Sequence, residues 1–319
     1  AVFRNMRRSG QNTCRIWAAS WHIPLVKNAS SLAIDAVNGY VWDEIFRMAH
    51  EEGIYLIPVL DNAYDITKNA AGHPLLKASG AADVKEYMSS GAGRAVLQKY
   101  ISECLGRFHA FPSLLLLEVM NEPDLALLEG VPAWRRPALS RDVFVPWIGS
   151  IFYMGIFVPR PLAGTQNLTV GLWDGSLLKD LPRLPGRVSS IHVYLPPEQE
   201  IRELSEFSEA ALVSRHLREA FKHTVEPVII GEFGYRPPSG QPHAPDAPAN
   251  HQDTGGIALR NALWASIAAG AAGPVLPWWW DSHVEKYSLD RHIAAVSKFL
   301  AMVDLAELCS ETIPIPAGM

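Results

Sequence analysis

Short apolar runs that alternate with helical stripes limit the folds open to this chain. Ile54 to Leu60 is a continuous apolar run, typical of a parallel strand buried on both faces. A helical stripe of Val41, Ile45 and Met48 precedes it, and Gly53 ends that helix. Similar runs lie at 13–17, 114–120, 169–173, 188–194, 227–231 and 275–280, with helices predicted at 97–108, 142–157, 198–222, 256–269 and 291–306. Repeated units of this kind predict a parallel sheet with helices outside it.

Seven such units predict a barrel. Right-handed crossovers would curl them most of the way around a closed sheet. The length of 319 residues suits this fold, although length alone also allows two domains. We therefore predict an α/β fold, a (β/α)8 TIM barrel, as a single domain over residues 1–319. Its first strand should precede the helix-like segment Phe3 to Arg8, so we expect an N-terminally truncated chain with a gap between the strands at 13–17 and 275–280.

Composition excludes several classes of protein. The net charge is 28 − 33 = −5, so no basic surface indicates nucleic acid. Cys14, Cys104 and Cys309 are odd in number and far apart, which predicts neither a disulfide framework nor a metal cluster. The stretch from Ala262 to Trp280 is uncharged and as long as a membrane span. Two glycines and two prolines interrupt it, so we predict a buried helix, a turn and a buried strand.

Polar and aromatic residues stand at the C-terminal ends of the predicted strands, where such a barrel holds its catalytic groups. They are Arg15, Trp17, Asp61, Asn62, Asn121, Glu122, Trp173, Asp174, His192, Tyr194, Glu232, Trp278, Trp280 and Asp281. Sugar sites combine polar groups for hydroxyls with flat rings for the apolar faces of pyranoses. The strand ends therefore predict a carbohydrate site.

Two of these residues, Glu122 and Glu232, can form a carboxylate pair across a cleft. Cleavage of a glycosidic bond needs such a pair, because one group protonates the leaving oxygen while the other attacks or activates water. A retaining mechanism places the two carboxyls about 5–5.5 Å apart. We predict that spacing here, and a separation beyond about 9 Å would contradict retention.

Five motifs occur in order along the chain, each at a predicted strand end. They are Gly10-Gln11-Asn12-Thr13-Cys14-Arg15-Ile16, Glu118-Val119-Met120-Asn121-Glu122-Pro123, His192-Val193-Tyr194, Gly231-Glu232-Phe233-Gly234 and Trp278-Trp279-Trp280-Asp281. The set resembles the clan-A retaining glycoside hydrolases, nearest to the family-5 cellulase and mannanase group. The resemblance covers nearly the whole chain.

The resemblance implies roles for the matching residues. Glu122 would be the general acid/base and Glu232 the nucleophile. Asn121 would bind the sugar 2-hydroxyl, while Arg15 and Tyr194 would hold the nucleophile. A tryptophan would floor the cleavage subsite; Trp278 and Trp280 share a face if the strand alternates there, and we favour Trp280.

Other residues keep simpler alternatives. His192 is either a substrate-binding residue or a satisfied, half-buried histidine. Asp61 and Asn62 are candidate sugar ligands whose role no spacing fixes. Glu118 is expected to be a buried, hydrogen-bonded strand residue. His283 and Glu285 lack a third ligand at a recognisable spacing, so no metal site is predicted there.

Protonation should separate the two glutamates. Arg15 beside Glu232 would favour the ionised form of that carboxylate. Glu122 should keep its proton until the bond breaks, with its pKa raised by the nearby anion and by partial burial. The same group can then deprotonate the attacking water.

The function predicted is hydrolysis of a β-linked glucan, mannan or related oligosaccharide by retaining double displacement. We expect no cofactor, and a polysaccharide or oligosaccharide as partner rather than a nucleic acid, a membrane or an obligate protein. The resemblance implies secretion, although the chain begins without a signal peptide. A non-catalytic carbohydrate-binding barrel is the first alternative, disfavoured because both glutamates are present. A metal-dependent barrel hydrolase would need clustered ligands at the strand ends. The loops at 62–92, 124–141 and 236–255 carry no pattern that identifies the sugar.

Overall fold

Six strands of the computed structural model pair side by side in chain order, all parallel, in one sheet. They are β1 Thr13–Trp17, β2 Tyr55–Val59, β3 Leu117–Asn121, β4 Leu168–Leu172, β5 Ser189–Leu195 and β6 Val228–Tyr235. The structure describes residues 1–18, 23–27, 32–68, 72–126, 141–157, 168–172, 175–181, 188–195, 208–236 and 246–303. Parallel neighbours in chain order are what successive βα crossovers produce.

Helices occupy most of the connections between the strands. They are α1 Val2–Arg8, α2 Ala36–Glu51, α3 Ala63–Lys68, α4 Pro74–Ser79, α5 Val84–Ser89, α6 Gly91–Phe108, α7 Arg141–Phe157, α8 Glu209–His223, α9 Ile257–Ala268 and α10 Asp290–Leu300. Asp35 caps α2 through the Asn38 amide, and Gly53, at φ +70°, follows its end as predicted. Phe46 of α2 and Phe108 of α6 are fully buried, with ring centroids 4.8 Å apart. These faces anchor the outer helices.

A seventh extended segment continues the sheet beyond β6. The Leu276 amide donates to the Ile230 carbonyl at 3.0 Å, and the Trp278 amide donates to the Phe233 carbonyl at 2.8 Å. β1 has β2 as its one partner strand in the described sheet. It meets the seventh segment through Trp17, whose ring centroid lies 5.8 Å from that of Trp278 in an edge-to-face contact. The six strands and this segment fill seven positions of a (β/α)8 barrel, with the gap where it was predicted.

Some predicted boundaries differ from the observed ones. β3 begins at Leu117 rather than 114, since the chain makes only an isolated bridge from Leu114 to Leu56 before it enters the ladder. The last predicted strand ends early, because Trp280–Glu285 is a π-helical turn. Parts of two predicted helices, 198–207 and 304–306, lie outside the described residues, as do Trp173 and Asp174.

The long uncharged stretch is not a membrane span. It forms the end of α9, a turn and the seventh extended segment, as predicted. Every helix in the described ranges is too short or too polar to cross a bilayer. That residues 1–319 form one domain stays a prediction.

Candidate active site

Arg15 organises the polar interior at the C-terminal ends of the strands. It projects from β1, and its side chain is only 5% exposed. Two of its nitrogens donate to Glu118 at 2.8 and 2.6 Å, and Nη1 donates to Glu232 Oε1 at 2.5 Å. Nη2 also donates to Asn121 Oδ1 at 2.7 Å. Burial opposes the charge on Arg15, but the two carboxylates raise its pKa, so it stays a cation.

Both oxygens of Glu232 are held. The Tyr194 hydroxyl donates to Oε2 at 2.5 Å, while Arg15 donates to Oε1. Burial raises the pKa of Glu232 above its ordinary value, and the charge of Glu122 adds to that rise. Arg15 and Tyr194 lower the pKa, as a charged His192 would, without cancelling the effect of burial. Arg15 thus has the predicted direction of effect, but desolvation outweighs it.

Glu122 follows the last residue of β3 in an unusual backbone conformation. Its φ is +46°, in the left-handed region that residues other than glycine rarely adopt, and its amide donates to the Gly171 carbonyl at 2.7 Å. Such strained residues cluster at functional sites. Its side chain is 13% exposed against 5% for Glu232, so Glu122 is the more accessible carboxylate of the two.

The two carboxylates lie close together. Glu122, His192 and Glu232 each offer one ligand-type atom, and these atoms all lie within 4.8 Å of one another. The carboxylate oxygens are therefore far inside the separation of about 9 Å that would contradict retention. The same donor set, an imidazole and two carboxylates, could also bind a divalent cation. The buried positive charge of Arg15, 2.5 Å from Glu232, opposes a second cation there.

His192 lies between the two glutamates. Its Nδ1 is 2.8 Å from Glu122 Oε1 and 3.5 Å from Glu232 Oε2, and its side chain is fully buried. Burial lowers the pKa of His192, and Arg15 lowers it further, against opposing effects of Glu232 and Glu118. The neutral imidazole can therefore share a proton with Glu122. His192 thus contacts both glutamates from a position with no exposed surface, and a substrate-binding role for it stays a prediction.

Asn121 and Asn62 come together, but Asp61 points elsewhere. Asn121 Nδ2 lies 3.4 Å from Asn62 Oδ1, and both residues are buried. The Asp61 carboxylate instead faces His73, with Oδ1 3.0 Å from His73 Nε2. The structure thus brings Asn62 next to Asn121 and pairs the Asp61 carboxylate with His73, and that Asp61 binds sugar stays a prediction.

Trp278 packs near Arg15 through Trp17, and which of Trp278 and Trp280 floors the cleavage subsite stays a prediction. Trp17 lies against Arg15, with the guanidinium carbon 5.0 Å from its ring centroid, and Trp278 packs on Trp17. Trp280 is 49% exposed at the start of the π-helical turn. The expected shared face assumed continuous alternation, but the chain leaves the extended conformation at Trp279.

Two residues of the site were not predicted as functional. Glu118 is fully buried and accepts a bidentate pair of hydrogen bonds from Arg15. A carboxylate inside an apolar strand requires a cationic partner, which is the signal that could have paired it with Arg15. Gly171 of β4 gives these side chains room: a Cβ there would lie 2.5 Å from His192 Nε2 and 2.7 Å from Glu118 Oε1.

Comparisons with known proteins place this fold. Neither a protein-family model nor a curated protein matches the sequence. A glycoside hydrolase family 5 enzyme from Prevotella bryantii B14, solved with a xyloglucan tetradecasaccharide, is similar with a TM-score of 0.66 at 17% identity over 93% of this chain and 84% of that one. A family 5 xyloglucanase from Paenibacillus pabuli gives 0.62 at 13% identity, covering 93% and 89%. A β-1,4-D-mannanase from Cryptopygus antarcticus gives 0.57 at 16% identity, covering 93% and 81%. The chain therefore has the barrel fold of the family-5 glycoside hydrolases, which its motifs resemble.

Proposed function

We propose that this protein is a retaining glycoside hydrolase that cleaves a β-linked glucan, mannan or related oligosaccharide. The observation that carries the proposal is a pair of neighbouring carboxylates, Glu122 and Glu232, within 4.8 Å and in different environments. One is buried and fixed at both oxygens, and the other is more exposed and hydrogen-bonded to a neutral histidine. Different environments give two identical side chains different pKa values and therefore different catalytic roles.

Glu232 is proposed as the nucleophile. Arg15 and Tyr194 each donate a hydrogen bond of 2.5 Å to it, and such bonds favour the carboxylate form. Burial raises the pKa of Tyr194 well above its ordinary value, so its hydroxyl keeps the proton that it donates. The carboxylate is thus aimed by fixed donors, which lowers the reorganisation needed for attack on the anomeric carbon.

Glu122 is proposed as the acid/base. In the first step it protonates the leaving oxygen while Glu232 forms the glycosyl-enzyme bond. Formation of that bond removes the charge of Glu232, and Glu122 can then take a proton from the attacking water. His192 at 2.8 Å gives Glu122 a neutral hydrogen-bond partner in both steps.

Asn121 and Trp278 are proposed to hold the sugar. Arg15 occupies the Asn121 oxygen, and the Asn121 amide nitrogen carries two donors, of which one meets Asn62 at a long 3.4 Å. The other can donate to a 2-hydroxyl, a bond that strengthens in the transition state. The indole of Trp278 offers a flat surface for a pyranose face. The solved mannanase and the xyloglucan complex, both of this fold, favour a β-linked substrate class.

Product analysis tests the proposal. The wild-type protein should release product from a β-linked polysaccharide or an aryl β-glycoside with the β-anomer formed first, read by NMR. Glu232→Ala should abolish turnover, and azide should restore it in part with an inverted product, because the small anion replaces the missing carboxylate. Glu219→Ala, on the surface of α8, is the matched control and should remain fully active.

Three outcomes would count against the assignment. Full activity in Glu232→Ala would remove the nucleophile role. An α-anomer as the first product would exclude retention. Binding of a β-glucan or β-mannan without any product, across the whole panel, would favour the non-catalytic carbohydrate-binding barrel.

A further inference from the structure

A second buried polar pair lies just outside the candidate active site. Asp61 follows β2, and His73 precedes the first residue of α4. His73 Nε2 lies 3.0 Å from Asp61 Oδ1, and each side chain is only 5% exposed. Both residues border a cavity of about 20 Å³ whose other walls are mainly apolar. A carboxylate in such surroundings depends on its partner, because burial of an unpaired charge is strongly unfavourable.

The pair is ionic. Burial alone would lower the pKa of His73, but the charge of Asp61, its hydrogen bond and the charge of Asp65 raise it overall. Asp61 therefore shifts His73 toward its imidazolium form. In the described part of the chain, the titratable groups near Asp61 also include Tyr87 of α5 and Tyr100 of α6, and burial raises the pKa of both well above the ordinary value, with the charge of Asp61 adding to the rise. Both stay neutral.

Asp61 also reaches the candidate site through hydrogen bonds. Its Oδ1 accepts from the Asn62 amide at 2.8 Å, and its carbonyl accepts from the Asn121 amide at 2.9 Å. Asn121 in turn accepts from Arg15, which holds Glu232. Asp61 is therefore three contacts from the proposed nucleophile, although its own side chain points away.

We propose that Asp61 and His73 are positioning residues: their buried ion pair fixes the end of β2 and, through Asn62 and Asn121, holds the sugar-binding side of the candidate site. The inference rests on the proposed function only for its effect on catalysis. The pair itself, and its control of the two asparagine amides, can be measured without a substrate.

The experiment compares four variants. Asp61→Asn keeps the shape and removes the charge, while His73→Gln is the conservative change and His73→Ala the severe one. The double variant Asp61→Asn/His73→Gln tests coupling. His223→Gln is the matched control, because His223 Nε2 also lies 3.0 Å from a carboxylate, that of Glu219, but on the surface of α8.

Hydrogen exchange is the first readout, on peptides that contain the Asn62 and Asn121 amides. Exchange at both should be faster in Asp61→Asn and His73→Ala, intermediate in His73→Gln and unchanged in His223→Gln. If His73→Ala does not fold, His73→Gln against the control decides the question. Unchanged exchange at both amides in His73→Gln and Asp61→Asn would overturn the proposal.

Kinetics on the best substrate of the wild-type protein are the second readout. Each single change should lower kcat by about tenfold or more with little change in KM, since a 1 Å misplacement can cost about 100-fold. The double variant should be no worse than the poorer single one. If the losses in kcat of the two single variants multiply in the double variant, or if only Asp61→Asn raises KM, Asp61 would instead be a direct sugar ligand. A wild-type protein without activity on any substrate would defeat the proposed function and leave the exchange result standing.

Discussion

At the scale of single residues, Arg15 forms ion pairs with two glutamates. Arg15 contacts Glu118 and Glu232 in a region with little access to water, so its single positive charge balances two carboxylates. Burial, together with the charge of Glu122, raises the pKa of Glu232 above its ordinary value against the opposing effect of Arg15. Because Glu118 shares Arg15 with Glu232, we expect it to weaken the effect of that cation on the proposed nucleophile.

The acid side of the pH–activity profile should report Glu232. Its carboxylate form is the active one, so kcat/KM should fall as the pH drops through the pKa of Glu232, which lies above the ordinary 4.5. A profile of kcat/KM between pH 3 and 8 measures this. An acid limb with a midpoint below 4.5 would contradict the proposed burial effect.

Glu118→Gln should move that limb. Removal of the competing charge leaves Arg15 with Glu232 alone, so the acid limb should shift to lower pH. Breaking a buried ion pair should also cost about 3–5 kcal/mol in the free energy of unfolding. Urea unfolding and the pH profile check the two effects. A shift of the limb to higher pH would show that Glu118 does not compete for Arg15.

Gly171→Ala should damage the site without a change of charge. The new Cβ would lie 2.5 Å from His192 Nε2, and these neighbours are buried side chains with little room to move. Overpacking of this kind costs about 1–3 kcal/mol, and activity should fall because His192 would be displaced from Glu122. Gly106→Ala on α6, where a Cβ meets nothing within 4 Å, is the control. Equal activity in both variants would refute the close approach at Gly171.

At the scale of elements, the continuously apolar strands could be predicted from the sequence, but the short helices between them could not. β2 and β6 were found from continuous apolar runs, since burial on both faces leaves that pattern. The three short helices α3, α4 and α5 left no long periodic stripe, so the segment at 62–92 was predicted only as a loop. The positions of Glu122 and Glu232 were predicted from the ends of the strands. The contact between Asp61 and His73 was not predicted, because it depends on how the end of β2 packs against the start of α4.

The contribution of His73 to the free energy of unfolding should be larger at low pH than at high pH. The pKa of His73 is raised in the folded protein, so its contribution is fully present below the ordinary 6.5 and is lost as the pH rises through the higher folded value. The difference in unfolding free energy between wild type and His73→Gln should therefore shrink from pH 6 towards alkaline pH. Denaturant unfolding at several pH values measures it, and a difference that grows with pH would contradict the ion pair.

At the scale of the whole molecule, the described sheet has two unequal ends. β6 lies between β5 and the seventh extended segment, whereas β1 has β2 as its one described partner strand. The sequence predicted this arrangement because seven apolar runs were counted, and one barrel position remained without a run. The tryptophan contact across the gap could not be foreseen, since it needs the fold to bring Trp17 and Trp278 together.

The gap has a consequence for heat inactivation. Local opening is favoured at a strand with a single partner, as β1 is among the described strands, and β1 carries Arg15, which holds the proposed nucleophile. Fraying of that one strand would release Glu232 while the rest of the barrel stays folded. We therefore expect catalysis to stop several degrees below the melting temperature seen by circular dichroism, and to return fully on brief cooling. Catalysis would then be lost reversibly, at a temperature below that at which the barrel unfolds.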